Sequence, residues 1–91
     1  MTTFVIERNI PGAAGLTADQ LKEIATTSNA VVDGLGVAYT WHHSYVAGDK
    51  IYCVHETDDA ETVREHARRG GFPADMVVEV AAVFGPATAQ S

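Results

Sequence analysis

Two runs rich in aromatic and β-branched residues meet at a glycine–aspartate pair in VAYTWHHSYVAGDKIYCVHET, residues 37–57. The runs over 37–46 and 50–57 are each long enough for a strand. Glycine followed by aspartate suits a two-residue type II′ turn, in which the first turn residue has a positive φ. The stretch therefore predicts a β-hairpin that turns at Gly48-Asp49.

The register of this hairpin decides which side chains share a face. A two-residue turn pairs Ala47 with Lys50. One face is then compact and is the candidate core: His42 opposite His55, Ser44 opposite Cys53, and Val46 opposite Ile51. The other face collects large amphipathic side chains that suit a ligand surface or a homodimer interface: Tyr39, Trp41, His43, Tyr45, Tyr52 and Glu56. A three-residue turn is the alternative, and it would place His43 opposite Cys53 and Trp41 opposite His55.

Two further strands and two helices are predicted around the hairpin. Residues 3–8 alternate as a first strand, and residues 76–84 form the last strand. Thr17-Ala18-Asp19-Gln20 is a capping box, so a helix begins there and ends at Gly34 or Gly36. The second helix lies between acidic residues at 58–61 and a basic pair at 68–69, an arrangement that complements the helix dipole.

The order strand, helix, strand, strand, helix, strand predicts an α+β fold of the ferredoxin-like βαββαβ type. Both helices then cover one face of an antiparallel sheet, and the other face is left open. A second copy packed on that face would form a homodimer, a dimeric α/β barrel. We expect one domain over residues 1–84 and a flexible C-terminal tail over 85–91.

Composition excludes several classes of function. The chain has 91 residues, 46% of them hydrophobic, and a net charge of −6 with scattered cations, so nucleic acid is a poor partner. No apolar run approaches the roughly 18 residues of a membrane span, and no leader is visible at the N-terminus. Cys53 is the single cysteine, so no internal disulfide forms and we expect a cytoplasmic protein.

The four histidines are the main candidates for chemistry, because the sequence contains no standard enzyme motif. Imidazole binds late first-row metals and also acts as an acid or base. His42 and His43 point to opposite faces of a regular strand and cannot share an ion unless a bulge intervenes. We expect His66 at the rim of the second helix and His55 in the core. Glu7-Arg8 is interpreted as a solvated pair, and Cys53 as a small buried residue.

Several motifs together carry a family resemblance. They are Glu7-Arg8, Ile10-Pro11-Gly12, Trp41-x-His43-Ser44-Tyr45-Val46, Asp49-Lys50-Ile51-Tyr52-Cys53-Val54, Arg64-Glu65-His66-Ala67 and Gly71-Phe72-Pro73-Ala74. The chain resembles, over almost its whole length, a family of small bacterial proteins that includes a nickel-binding, nickel-responsive member. The resemblance implies a ferredoxin-like homodimer that binds Ni²⁺ at the dimer surface, with a role in nickel sequestration or detoxification. The family has no established catalytic activity.

Within those motifs, His43 and His66 are the first candidates for metal ligands, and His42 is a further one. His55 stands where the family has an aromatic residue. Nickel preference comes from the resemblance alone, since imidazole and carboxylate ligands equally suit Zn²⁺ or Cu²⁺.

The alternative hypothesis is a small-molecule-binding protein or a cofactor-independent monooxygenase-like enzyme of the dimeric α/β barrel type. His43 would act as a base or orient the ligand, and Trp41, Tyr45 and Tyr52 would form apolar walls. A cavity of roughly 300 Å³ or more lined by His43 would favour this alternative.

Overall fold

The computed structural model describes residues 1–90, and Ser91 lies outside them. It contains the predicted elements in the predicted order: β1 (Thr2–Asn9), α1 (Ala18–Gly34), β2 (Thr40–Ala47), β3 (Lys50–Thr57), α2 (Ala60–Gly70) and β4 (Met76–Glu79). Two short 3-10 helices cover Ala13–Gly15 and Pro86–Gln90. The strands form one antiparallel sheet in the order β2-β3-β1-β4, which confirms the ferredoxin-like α+β fold.

Local signals start and stop the helices. The Thr17 hydroxyl accepts from the backbone N–H of Gln20 at 3.2 Å, and the Gln20 side chain accepts from the N–H of Thr17 at 2.9 Å, so the predicted capping box is present. Asp59 caps α2 by accepting from the N–H of Thr62 at 2.8 Å. This hydrogen bond lowers the pKa of Asp59 below its ordinary value. Gly71 ends α2 with a φ of 71°, a left-handed conformation.

The hairpin turn has the predicted length. Ala47 pairs with Lys50, Val46 with Ile51, Tyr45 with Tyr52 and Ser44 with Cys53. Gly48 has a φ of 61°, while Asp49 keeps a negative φ, as a type II′ turn requires. The two-residue register is confirmed from the turn as far as His43. The three-residue turn and its His43–Cys53 pair are wrong, although the Trp41–His55 pair predicted with it does occur.

The core lies between the sheet and α2. Phe4 and Ile6 of β1 and Ile51 of β3 are buried against Val63 of α2. In contrast, Ser28 is the one buried residue of α1. The first helix therefore covers the sheet without forming a tight apolar contact with it.

The last strand is shorter than predicted. It ends at Glu79 rather than residue 84, and its final ladder contact is the N–H of Val80 donating to Thr3 at 2.8 Å. Beyond Thr3, β1 has almost no residues left to pair with, so Val83 and Phe84 remain 89% and 85% exposed. The following 3-10 helix, Pro86–Gln90, has no buried residue. None of the helices in residues 1–90 has the length and apolarity that crossing a membrane requires.

Candidate functional site

A β-bulge in β2 determines which histidines share a face. Trp41 lies opposite His55 and His43 lies opposite Val54, so His42 is an extra residue without a partner of its own. The predicted pairs of His42 with His55 and of Trp41 with Glu56 are therefore wrong. The bulge turns Trp41 to the helix side of the sheet, where its indole N–H donates to Ser44 Oγ at 2.9 Å.

His42 and His43 consequently lie together on the open face, which the helices do not cover. The Nε2 atom of His42 lies 2.9 Å from Oε1 of Glu56, and both side chains are partly exposed. His43 contacts the ring of Tyr45 edge-on, with 5.1 Å between ring centroids. Two imidazoles and a carboxylate thus occupy one end of the open face, beside an aromatic ring. In residues 1–90, as their side chains stand, no three His, Cys, Asp or Glu residues come close enough to form a metal site.

The other two histidines are buried on the helix side. His55 is hydrogen-bonded through Nδ1 to the Tyr39 hydroxyl, and His66 through Nε2 to Ser28 Oγ at 3.0 Å. The His66 ring is stacked on Tyr39 and on Phe72, with centroids 5.3 and 5.8 Å away, and it contacts His55 edge-on. The predicted core position of His55 is confirmed, whereas His66 is fully buried rather than at the helix rim.

Burial keeps both of these imidazoles neutral. Loss of solvation, the larger cause, and the nearby positive charge of Arg8 together lower the pKa of His55 to about 3 and that of His66 to about 4. Burial also raises the pKa of Tyr39 well above its ordinary value. The Nδ1 atom of His66 is buried without a hydrogen-bond partner among the described residues.

A cavity of about 300 Å³ lies between α1 and the sheet. Its apolar walls are Ile10, Leu21, Ile24, Ala25, Trp41, Val46, Ile51 and Phe72, and its polar lining is Arg8, Ser28, Ser44, Cys53, His55 and His66. The cavity has the size that the small-molecule alternative requires, but the buried histidines line it and His43 does not.

Arg8 is the residue that sequence reasoning placed wrongly. It is only 3% exposed, and its Nε donates to Cys53 Sγ at 3.4 Å while an Nη atom donates to the Pro73 carbonyl. Its guanidinium also lies 5.5 Å from the centroid of the Phe72 ring. Glu7 points to the opposite face, where it accepts from Lys50 at 2.5 Å and raises the pKa of that lysine. The expected solvated Glu7-Arg8 pair is absent.

The sheet separates the residues that were expected to act together. His42, His43, Tyr45 and Tyr52 lie on the open face, whereas His66 and Trp41 lie on the helix side. The predicted metal ligands therefore divide into a surface pair and one buried imidazole, and the predicted aromatic walls divide in the same way. The alternation of side chains along β1 could have predicted the burial of Arg8, because Arg8 shares a face with Phe4 and Ile6.

These features define a ferredoxin-like α+β protein with two imidazoles on its open sheet face and a histidine-lined cavity beneath its first helix. The chain belongs to the family described as nickel responsive protein SCO4226-like, whose profile matches residues 4–80. The crystal structure of SCO4226 from Streptomyces coelicolor A3(2) is similar, with a TM-score of 0.74 and 27% sequence identity. The match covers 90% of this chain and 99% of that one. No curated protein matches the sequence.

Proposed function

We propose that this protein binds Ni²⁺ through His42 and His43 on the open face, with Glu56 as the neighbouring carboxylate. The observation that carries the proposal is the bulge at His42, because a regular strand would direct the two adjacent imidazoles to opposite faces. Nickel as the metal follows the description of the family.

The chemistry of these side chains supports a divalent late transition metal. Imidazole nitrogen is a preferred ligand of Ni²⁺, Cu²⁺ and Zn²⁺, and a carboxylate that contacts a ligating histidine fixes the orientation of its ring. The Glu56 carboxylate already contacts His42 at 2.9 Å. Rotation of the exposed His43 side chain would bring a second imidazole to the same ion, and water would complete the coordination.

His66 is not part of this proposed surface site. It lies on the helix side of the sheet, and one of its ring nitrogens is already hydrogen-bonded to Ser28. A role in nickel sequestration is proposed from the description of the family as nickel responsive.

The proposed active form is a homodimer that packs through the open face. Tyr45, Met76 and Val78 are 60%, 53% and 50% exposed there, and Val5 and Val54 lie between them. An exposed apolar face of this kind marks an interaction surface. Trp41, which the sequence placed at this interface, lies on the other side of the sheet and takes no part in it.

Calorimetric titration of tag-free protein with Ni²⁺ tests the metal site. We expect saturable binding that weakens by about tenfold or more in the His42→Ala/His43→Ala variant, because each lost ligand weakens chelation. His66→Phe, the matched control on the helix side, should bind as the parent does. Binding should also weaken on acidification from roughly pH 7.5 to 5.5, since protons compete with the metal for imidazole.

Nickel binding that persists in the double variant would contradict the assignment of the ligands, and a titration without heat would contradict nickel binding itself.

Sedimentation velocity tests the dimer. The parent should sediment as a dimer, and Val54→Glu should give monomers because it places a charge in the apolar face. Thr27→Glu, on the exposed surface of α1, is the control and should not change the assembly.

A further inference from the structure

The cavity beneath α1 combines an apolar interior with one buried cation. Among the described residues, Arg8 is the only lysine or arginine that lines it, and no aspartate or glutamate does so. The remaining walls are mostly aliphatic and aromatic, including Leu21 and Ile24 from α1 and Trp41 from β2. A site of this kind differs from a solvated surface arginine, because its charge faces a medium that screens it poorly.

Arg8 lacks a counter-ion. Within residues 1–90 it forms no salt bridge, and both of its hydrogen bonds go to neutral acceptors, the Cys53 sulfur and the Pro73 carbonyl. A guanidinium has five N–H donors, and burying such a charge is costly unless an anion pairs with it. The planar guanidinium also matches the two oxygens of a carboxylate. Arg8 therefore complements an anionic group that comes from outside the chain.

Most of the other polar groups of the cavity already have partners, and the exception among the described residues is the buried Nδ1 atom of His66. Ser28 is bonded to His66, and Ser44 accepts from Trp41 and contacts Cys53 Sγ at 3.0 Å. These groups offer little to a ligand that carries many polar atoms. A mainly apolar molecule with one anionic end fits this distribution.

The position of α1 indicates that the cavity is a binding space rather than a packing defect. No apolar side chain of α1 is buried, and Leu21 is 37% exposed although it faces the cavity. The helix thus leaves about 300 Å³ free, which is at the small end of the range for ligand pockets.

We propose that this cavity binds a small apolar carboxylate, a medium-chain aliphatic acid or an aryl-alkanoic acid. Its carboxylate pairs with Arg8, and its apolar part lies against α1 and Trp41. This site lies on the opposite side of the sheet from the proposed nickel site and does not depend on it.

Trp41 provides a direct readout, because it is the only tryptophan of the chain and it lines the cavity. We would titrate the protein with octanoate and with 3-phenylpropionate, and compare each acid with its neutral amide. Both acids should change the Trp41 emission saturably. At least one should bind about tenfold or more tightly than its amide, because only the acid forms charge-assisted hydrogen bonds. The better acid identifies which of the two classes the cavity takes.

Three variants make the test specific. Arg8→Gln should remove the preference for acid over amide, and Arg64→Gln, which removes an exposed arginine of α2, should leave it unchanged. Ala25→Phe places a ring in the cavity from α1 and should abolish binding of both compounds while Ni²⁺ binding is retained.

Equal affinity for acid and amide would overturn the proposal, as would undiminished binding in Ala25→Phe or the absence of saturable binding at millimolar concentration. If Arg8→Gln does not fold, the acid-to-amide comparison and Ala25→Phe still decide the question. Nickel titration of the same samples distinguishes a failure of the proposed carboxylate site from a failure of the proposed nickel site.

Discussion

The two buried histidines should make the protein lose stability in mildly acidic solution. His55 and His66 have pKa values of about 3 and about 4 in the folded chain, against about 6.5 for an unperturbed imidazole. Below pH 6.5 the unfolded chain therefore binds protons that the folded chain does not. The free energy of unfolding falls as the pH falls through this window, and the loss levels off only below the folded pKa values.

The size of the loss follows from the difference in proton binding. At pH 5 the solution is roughly 1.5 units below the unfolded pKa, and each unit corresponds to about 1.36 kcal/mol for each histidine. Both folded imidazoles are still mostly neutral at that pH. We expect a loss of about 2 kcal/mol for each residue and about 4 kcal/mol for both, which is a large part of the stability of a small domain. Asp59 does not contribute in this window, because the stabilisation that accompanies its lowered pKa is lost only as the pH falls below about 3.8, the ordinary value of this group.

Urea unfolding followed by Trp41 fluorescence at pH 7, 6 and 5 measures this loss. The variant His66→Phe/Ser28→Ala keeps a ring between Tyr39 and Phe72 and removes the hydroxyl that would lose its partner. It should show about half of the parent's pH dependence. Thr27→Ala, on the exposed surface of α1, removes no titratable group and should show all of it. A free energy of unfolding at pH 5 within about 1 kcal/mol of the pH 7 value would refute the conclusion that both buried imidazoles stay neutral in the folded chain.

Two further predictions concern local structure. In Gly70→Ala the new Cβ would lie 2.4 Å from a ring carbon of Phe72, so we expect urea unfolding to show a loss of about 1–3 kcal/mol. Gly34→Ala, near the end of α1, has no heavy atom within 4 Å and should be neutral or stabilise by up to about 1 kcal/mol. Thr17→Ala removes the hydroxyl of the capping box and should cost about 1 kcal/mol in thermal unfolding, whereas Thr17→Ser should restore it.

The parts of the fold that the sequence predicted correctly depend on local signals. A threonine and a glutamine three residues apart are enough to begin α1, and a glycine before an aspartate is enough to set the hairpin turn. These interactions lie within a few residues of one another, and no distant part of the chain is needed to form them. The order of elements then leaves few arrangements besides the ferredoxin-like one.

The bulge could not be predicted in the same way. A bulge forms where the free energy gained by packing Trp41 on the helix side exceeds the free energy lost when the pairing of β2 is interrupted. That balance depends on α1 and β3 together. The burial of Arg8 likewise depends on distant parts of the chain. Alternation places it beside Phe4 and Ile6, but its partners Cys53, Phe72 and Pro73 are at least 45 residues away along the chain.

One inserted residue thus shapes both faces of the sheet. Between His42 and the turn, β2 directs His43 and Tyr45 to the open face, and before His42 it directs Trp41 to the helix side. A regular β2 with the same sequence, in which His42 were paired, would carry Trp41 on the same open face as His43 and would remove a wall from the cavity. The same bulge lies in an edge strand, where it interrupts the regular row of free backbone groups that would pair with another chain. The irregularity in β2 therefore positions the surface imidazoles and the cavity wall together, although the sheet keeps the two sites apart.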